Sequence, residues 1–240
     1  MNDETLFKRI AAITVIIAGV LNLAASLVSS LAVDFNTEFL ANPQNMLTAG
    51  LEPGAIGLFR WGEILGVFGY CLFLIPATLY LWYWLSPHSP RMVALFTVLG
   101  LISIVLCIIE STVRISLWPP MMAAYPQAEP AQREMLQVVF GAYSDFAMES
   151  MYALNSILAG LWFLCMGLLL RSARRVLGIV MAIMGAAICC AGIGWITRVD
   201  PLARLEFAYF LVPFWAVWLG VVIWKREERS EQLIETAAAV

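Results

Sequence analysis

Long runs of apolar residues, separated by short polar stretches, dominate this chain of 240 residues. A helix needs about 20 such residues to cross the hydrocarbon core of a bilayer, whereas a membrane β-strand needs about ten. The runs are too long for strands, so they predict an all-α fold: a polytopic transmembrane bundle of six helices. We expect these helices at residues 10–33, 57–85, 92–118, 142–170, 176–197 and 207–224.

The connections between the predicted helices differ in length. Two are long, residues 34–56 and 119–141, and both lie on the same side of the membrane if every helix crosses it. The first contains the turn signals Asn42-Pro43 and Glu52-Pro53-Gly54, and the second opens with Pro119-Pro120. We interpret both as loops attached to a single transmembrane domain, residues 1–240.

Pro130 suits the first turn of a helix, because its missing N–H would be unpaired there in any case. No further proline occurs before residue 170. A straight helix over residues 130–170 would be about 60 Å long, roughly twice the bilayer core. We therefore expect its first part to lie outside or along the interface, with a bend near Gly141.

The composition supports a bilayer environment. Apolar residues make up 62% of the chain and charged residues 13%, against about 45–50% and 25% in soluble domains. Lipid would solvate the outer faces of such helices, so membrane lipids are expected partners. The net charge of −3 argues against a nucleic-acid partner, which would require a basic surface.

The residue types that bind metals and cofactors are sparse. The five cysteines lie inside apolar runs without a CxxC pair, which favours packing over disulfides or zinc. The single histidine, His88, lies in a proline-flanked turn, so two-histidine haem ligation is impossible. The sequence contains no HExxH, GxSxG or Walker motif. We expect no metal and no cofactor.

Basic residues predict the orientation, because cytoplasmic loops are enriched in Lys and Arg. With both termini in the cytoplasm, that side receives nine of the 14 basic residues: Lys8, Arg9, Arg91, Arg171, Arg174, Arg175, Lys225, Arg226 and Arg229. The opposite side receives Arg60, Arg114, Arg133, Arg198 and Arg204. The sequence thus predicts an N-in/C-in protein of a cell inner (plasma) membrane.

Small residues recur every four positions along the fifth helix, at Gly178, Ala182, Ala186, Cys190 and Gly194. Such a stripe lets a neighbouring backbone approach closely. Its partner is a helix of the same chain or of another subunit, so a homo- or hetero-oligomer is one interpretation. Pro76 and Pro213 lie inside helices two and six, where each should produce a kink.

Charges inside the apolar runs occur in pairs that share a helix face, and they are the candidate site residues: Arg60 with Glu63, Glu110 with Arg114, and Asp145 with Glu149. All six are predicted toward the side of the long loops. Asp145 and Glu149 repel one another, so they require a cation from another helix, such as Arg60, Arg114 or Arg198. Two interpretations remain open, an outward-facing pocket for a charged or zwitterionic molecule or a proton, and a belt of structural salt bridges.

Several local motifs occur in a characteristic order. Residues 57–63 (GLFRWGE) open helix two after a long outer loop, residues 174–181 (RRVLGIVM) open helix five, and residues 211–214 (LVPF) lie in helix six. In this order the chain resembles the bacterial six-helix membrane family called domain of unknown function 4386, over roughly residues 10–225. The resemblance implies six helices and a bacterial inner membrane, and it implies no activity.

Three functions are compatible with these observations. The first is binding or transport of a small polar molecule through the outward-facing charged pocket. The second is an accessory or scaffold subunit without catalytic activity, and the third is an intramembrane enzyme acting on lipid. The missing catalytic motifs favour a protein that is not an enzyme.

Overall fold

The apolar runs fold as helices that continue beyond the runs themselves. The computed structural model describes residues 3–36, 44–48, 52–87 and 89–238, and this part of the chain contains no strand. Six helical stretches are long and apolar enough to cross a membrane, as predicted. We call them spans one to six: Asp3–Ala32, Pro53–Leu85, Pro90–Gln127, Pro130–Leu170, Arg175–Thr197 and Asp200–Arg226.

The six spans form a closed ring. Each span packs against the next one in the sequence, and span one also packs along span six. Because the number of spans is even, both termini lie at one end of the ring, which we call the terminal end. The two long connections lie at the opposite end, which we call the loop end.

Three spans depart from regular α-helix within their length, and span three does so only at its end, in the 3-10 turn Tyr125–Gln127. Span two consists of the helix Pro53–Gly66, the π-helical segment Val67–Cys71, the 3-10 segment Leu72–Leu74 and the helix Ile75–Leu85. Span four joins the helices Pro130–Asp145 and Ala153–Leu170 through the π-helical segment Phe146–Tyr152. Span six begins with the helix Asp200–Ala203 and the 3-10 segment Arg204–Leu211, and it continues as the helix Val212–Ala238.

Pro76 and Pro213 lie where the helix type changes. Each occupies the second position of a new α-helix that follows a 3-10 segment. Proline cannot donate the i to i−4 hydrogen bond, but at this position no such bond is required. The two prolines therefore interrupt their spans by starting a second helix.

The predicted loop at residues 119–141 is wrong, because most of it is helical. The helix Pro90–Ala124 continues through Pro119 and Pro120, and the 3-10 turn Tyr125–Gln127 follows it. Trp118 is buried and packs against the rings of Phe59 and Phe140, at centroid distances of 5.7 and 5.4 Å. This packing at the loop end compensates for the two missing backbone hydrogen bonds.

Other predicted boundaries also require correction. The helix beginning at Pro130 passes through Gly141 unbroken, and the irregular segment lies at Phe146–Tyr152 instead. In the predicted loop 34–56, a short helix forms at Gln44–Thr48, and Pro53 starts span two. The predicted turns at Asn42-Pro43 and around His88 lie outside the described residues, wholly or in part.

Spans four and five meet through glycine. A Cβ atom on Gly160 would lie 2.4 Å from the backbone nitrogen of Cys189, and one on Gly192 would lie 2.6 Å from the Ala153 carbonyl oxygen. Gly178 and Gly185 meet the backbone of span four equally closely. The glycines on span five are thus seven residues apart, which keeps them on one face.

The predicted four-residue stripe therefore describes the contact only in part. Each step of four residues turns about 40° around the helix, so the stripe drifts away from span four. Gly178 and Ala182 are buried at the contact, whereas Ala186 is exposed. The part of this face that is smooth enough for close approach is occupied by span four of the same chain.

Candidate functional site

A cavity of about 300 Å³ lies inside the ring of helices. Residues from every span except span five line it. Its volume falls at the lower end of the range for small-molecule sites, about 300–1,000 Å³. Apolar side chains such as Leu74, Ile104 and Phe163 form part of the wall, and hydroxyl, amide and charged groups form the rest.

The charged part of the wall is a triad formed by Glu63, Glu110 and Arg114. Arg114 Nη2 lies 3.1 Å from Glu63 Oε2 and 3.1 Å from Glu110 Oε1, so one guanidinium links spans two and three. The Glu110 side chain is 1% exposed. Burial in a bilayer makes such charges expensive unless they are paired, so this arrangement stabilises all three ionised groups.

Span three presents one polar face to the cavity. The residues Gly100, Ser103, Cys107, Glu110, Ser111 and Arg114 all line it. Apart from the neighbours Glu110 and Ser111, they are spaced three or four apart, and this spacing keeps side chains on one side of a helix. The same spacing on span one brings Ser26, Ser29 and Ser30 to the wall.

Three tyrosines reach the cavity from the irregular segments. Tyr70 lies in the π-helical segment of span two, Tyr152 in that of span four, and Tyr209 in the 3-10 segment of span six. The ring centroids of Tyr70 and Tyr209 are 6.4 Å apart at 83°, and those of Tyr152 and Tyr209 are 6.0 Å apart at 42°. Because π-helical insertions often occur at functional sites, their convergence here marks the cavity as the candidate site.

Neighbouring polar groups hold two of these tyrosines. The Tyr209 hydroxyl donates a hydrogen bond to Ser156 Oγ at 3.1 Å. The Tyr152 hydroxyl donates a long one to Glu206 Oε2 at 3.4 Å, and Trp195 Nε1 donates to the same oxygen at 3.1 Å. These contacts fix the rings relative to spans four, five and six.

The six predicted site residues divide into two places. Glu63, Glu110 and Arg114 line the cavity, whereas Arg60, Asp145 and Glu149 are not among its lining residues. The predicted i, i+4 pair of Glu110 with Arg114 is present. Glu63 pairs with Arg114 instead of Arg60, and Arg60 is exposed near the loop end, where a charge is less costly than inside the span.

Arg198 supplies the cation that Glu149 was predicted to require. Its Nη2 donates a hydrogen bond to Glu149 Oε2 at 2.8 Å, and Arg198 is 78% exposed. This hydrogen bond raises the pKa of the Arg198 guanidinium above its usual value, and the nearby charge of Asp145 acts in the same direction. The pair lies at the surface of the loop end and belongs to no cavity wall.

The sequence prediction missed the three tyrosines and the serines of the wall. Its candidate set contained charged residues only, and each tyrosine taken alone resembles an interfacial aromatic. A search for polar or small residues at spacings of three and four would have found the faces of spans one and three.

No family model matches the chain, and no match was found among curated proteins or solved structures. The resemblance to domain of unknown function 4386 therefore stays a prediction.

Proposed function

We propose that this chain is a multi-pass protein of a bacterial inner membrane that binds a small polar molecule in the cavity between its helices, as a binding or transport protein. The observation that carries this proposal is the position of the triad. Arg114 pairs with both Glu63 and Glu110, and all three residues line a cavity of about 300 Å³. A purely structural salt bridge would be expected to be covered by packed side chains.

The cavity wall reaches the outer surface of the ring at one residue. Phe210 lines the cavity and is 51% exposed, so the wall reaches the outside of the ring beside the 3-10 segment of span six. This segment lacks the i to i−4 hydrogen bonds of an α-helix, and its geometry is accordingly less stable. Movement of this segment is the simplest way for a ligand to enter.

The scaffold function receives less support. It requires a small-residue face that is free to receive another protein, but span four occupies the glycine face of span five. The lipid-acting enzyme has no specific support either. Serines and Cys107 line the cavity together with Glu63 and Glu110, but no described hydrogen bond joins one of these nucleophiles to a carboxylate.

Water access to Cys107 tests the proposed site. Cys107 lines the cavity, and the other four cysteines can be replaced by alanine to leave it as the single thiol. In detergent, the folded chain should react with a small neutral methanethiosulfonate reagent at a measurable rate. Reaction only after unfolding in SDS would show that the cavity is closed to solutes and would contradict the proposal.

Reporter fusions test the proposed orientation, in which both termini are cytoplasmic. A reporter that is active only in the periplasm should be silent when fused after Arg175, at the terminal end. The same reporter should be active when it is fused after Gln127, at the loop end. The reverse pattern would overturn the orientation and leave the cavity unaffected.

A further inference from the structure

The charges that line the cavity do not balance. Two carboxylates, Glu63 and Glu110, share the single guanidinium of Arg114, and no other described residue of the wall is charged. The loop segments outside the described residues, 37–43 and 49–51, contain neither Lys nor Arg. When all three groups are ionised, the wall carries one unbalanced negative charge, which in a low-dielectric surrounding favours either a bound cation or protonation of one carboxylate.

Two buried polar atoms of the triad, Glu110 Oε1 and Arg114 Nε, have no hydrogen-bond partner among the described residues. Glu110 Oε1 is buried and forms no hydrogen bond with any described residue, although Arg114 Nη2 lies 3.1 Å away. An acceptor left in this state inside a protein is unfavourable, so it favours a donor or a cation that comes from outside the chain. Because this oxygen is covered, a cation in the cavity would act on the Glu63–Glu110 carboxylates through its charge and not through direct contact with Glu110 Oε1.

The three tyrosines provide a second feature that attracts cations. Their rings meet at 83° and 42°, so they form a corner of differently oriented aromatic faces and not a parallel stack. The face of an aromatic ring carries partial negative charge, and groups of such rings recognise alkylammonium ions. Because two of the hydroxyls are held by Ser156 and Glu206, the rings are already ordered before a ligand arrives.

We propose that the ligand of this cavity is an organic cation that carries an alkylammonium group, placed between the Glu63–Glu110 carboxylates and the corner formed by Tyr70, Tyr152 and Tyr209. This inference rests on the proposed function and narrows it to one class of ligand. The apolar part of the wall suits carbon substituents on the nitrogen, and among the described residues no group of three His, Cys, Asp or Glu side chains is placed to hold a metal ion.

Three probes of similar shape and different charge test the proposal. Choline is a cation, 3,3-dimethylbutan-1-ol is its neutral carbon isostere, and 3,3-dimethylbutanoate is an anion. Each probe is added to the folded chain whose only thiol is Cys107, and the rate of modification by a neutral reagent is measured. We expect choline to slow the reaction at concentrations about tenfold or more below those that the neutral isostere requires, and the anion to have no effect.

Substitutions test whether the residues of the cavity wall cause this preference for choline. Glu110→Gln keeps the shape of the side chain and removes the excess charge, so it should abolish the preference for choline over the isostere. Tyr209→Leu should weaken protection by choline, whereas Tyr209→Phe keeps the ring and should retain it. Glu149→Gln, which changes a carboxylate of the surface pair, is the matched control and should leave protection unchanged.

The outcomes separate this inference from the proposed function. If the neutral isostere or the anion protects Cys107 as well as choline does, the cavity is a site but its ligand is not a cation. If Cys107 reacts and none of the three probes slows it, the assignment to alkylammonium ions is likewise wrong. If the folded chain does not react at all although the SDS-unfolded chain does, both proposals fail.

Discussion

Two regions of this molecule use the same kind of helix in opposite ways. Where spans four and five meet, glycines at 160, 167, 178, 185 and 192 bring the two backbones together with no space between them. On the other side of the ring, spans one, two, three, four and six surround a cavity with charged, hydroxyl and aromatic groups in its wall. Close packing in one region thus holds a ring whose other region stays open.

The comparison shows what polar residues in a span indicate. Lipid is as apolar as the side chains that face it, so helices in a bilayer gain little from burying apolar surface. Spans four and five associate through close backbone contact, which requires glycine and no polar group. The triad, in contrast, adds charges that a well-packed apolar wall would make unnecessary, and this favours a role beyond stability.

The largest effect is expected from removing the guanidinium of the triad. Arg114→Met leaves Glu63 and Glu110 close together, buried and without a cation, which should lower the free energy of unfolding by about 3–5 kcal/mol. Unfolding by SDS from mixed micelles measures this value. The triple variant with Glu63→Gln and Glu110→Gln should recover most of the loss, and a failure to recover would show that Arg114 stabilises the fold by packing alone.

The second-largest effect is expected at the close contact between spans four and five. Gly185→Ala places a methyl group against the backbone of Leu164, where no flexible side chain can move away. Overpacking of this kind should destabilise the chain by about 1–3 kcal/mol. Ala186→Val enlarges the neighbouring, exposed residue and should change stability little. Equal losses in both variants would contradict the seven-residue contact between spans four and five.

Replacing glycine by alanine in the cavity wall should stabilise the chain, whereas Gly185→Ala destabilises it. Gly66 lines the cavity, and a Cβ atom there would have only the Tyr70 ring within reach, at 4.0 Å. Gly66→Ala should therefore stabilise the helix by about 0.4–1 kcal/mol. A destabilisation as large as that of Gly185→Ala, measured in the same SDS titration, would show that the cavity is filled by packed groups.

The smallest effect is expected at the surface. Glu149→Gln breaks the ion pair with Arg198, which lies at the exposed loop end of span five. Exposed pairs contribute about 0–1 kcal/mol, so the melting temperature of the purified chain should barely change. A loss comparable to that of Arg114→Met would mean that the two ion-pair regions are not different in kind.

The sequence was sufficient for the number and type of helices, because runs of about 20 apolar residues have no alternative fold in a bilayer. The sequence-based prediction failed where tertiary packing determines the local structure. Pro119 and Pro120 lie inside a helix next to the buried Trp118, and no local signal reports that packing. The π-helical segments are equally invisible, since their sequences differ little from those of ordinary helices.

About half of the candidate site could be predicted from the sequence. Spacing along one helix correctly suggested the pair Glu110–Arg114, because residues four apart are neighbours. It did not show that Glu63 joins this pair while Arg60 stays outside, which depends on how spans two and three rotate against one another. The tyrosines were out of reach for the same reason, since three different spans bring them together.

The central claim is that one face of span three meets a solute-accessible cavity while its opposite face meets lipid. Cys107 lines the cavity, and Val105, two residues away at similar depth, is 54% exposed on the outside of the ring. In bilayer vesicles, a chain with Cys107 as its only thiol should react readily with a water-soluble thiol reagent. A cysteine-free chain carrying Val105→Cys should not react. Equal rates at the two positions, or a faster rate at position 105, would show that the Cys107 face of span three does not meet a solute-accessible cavity.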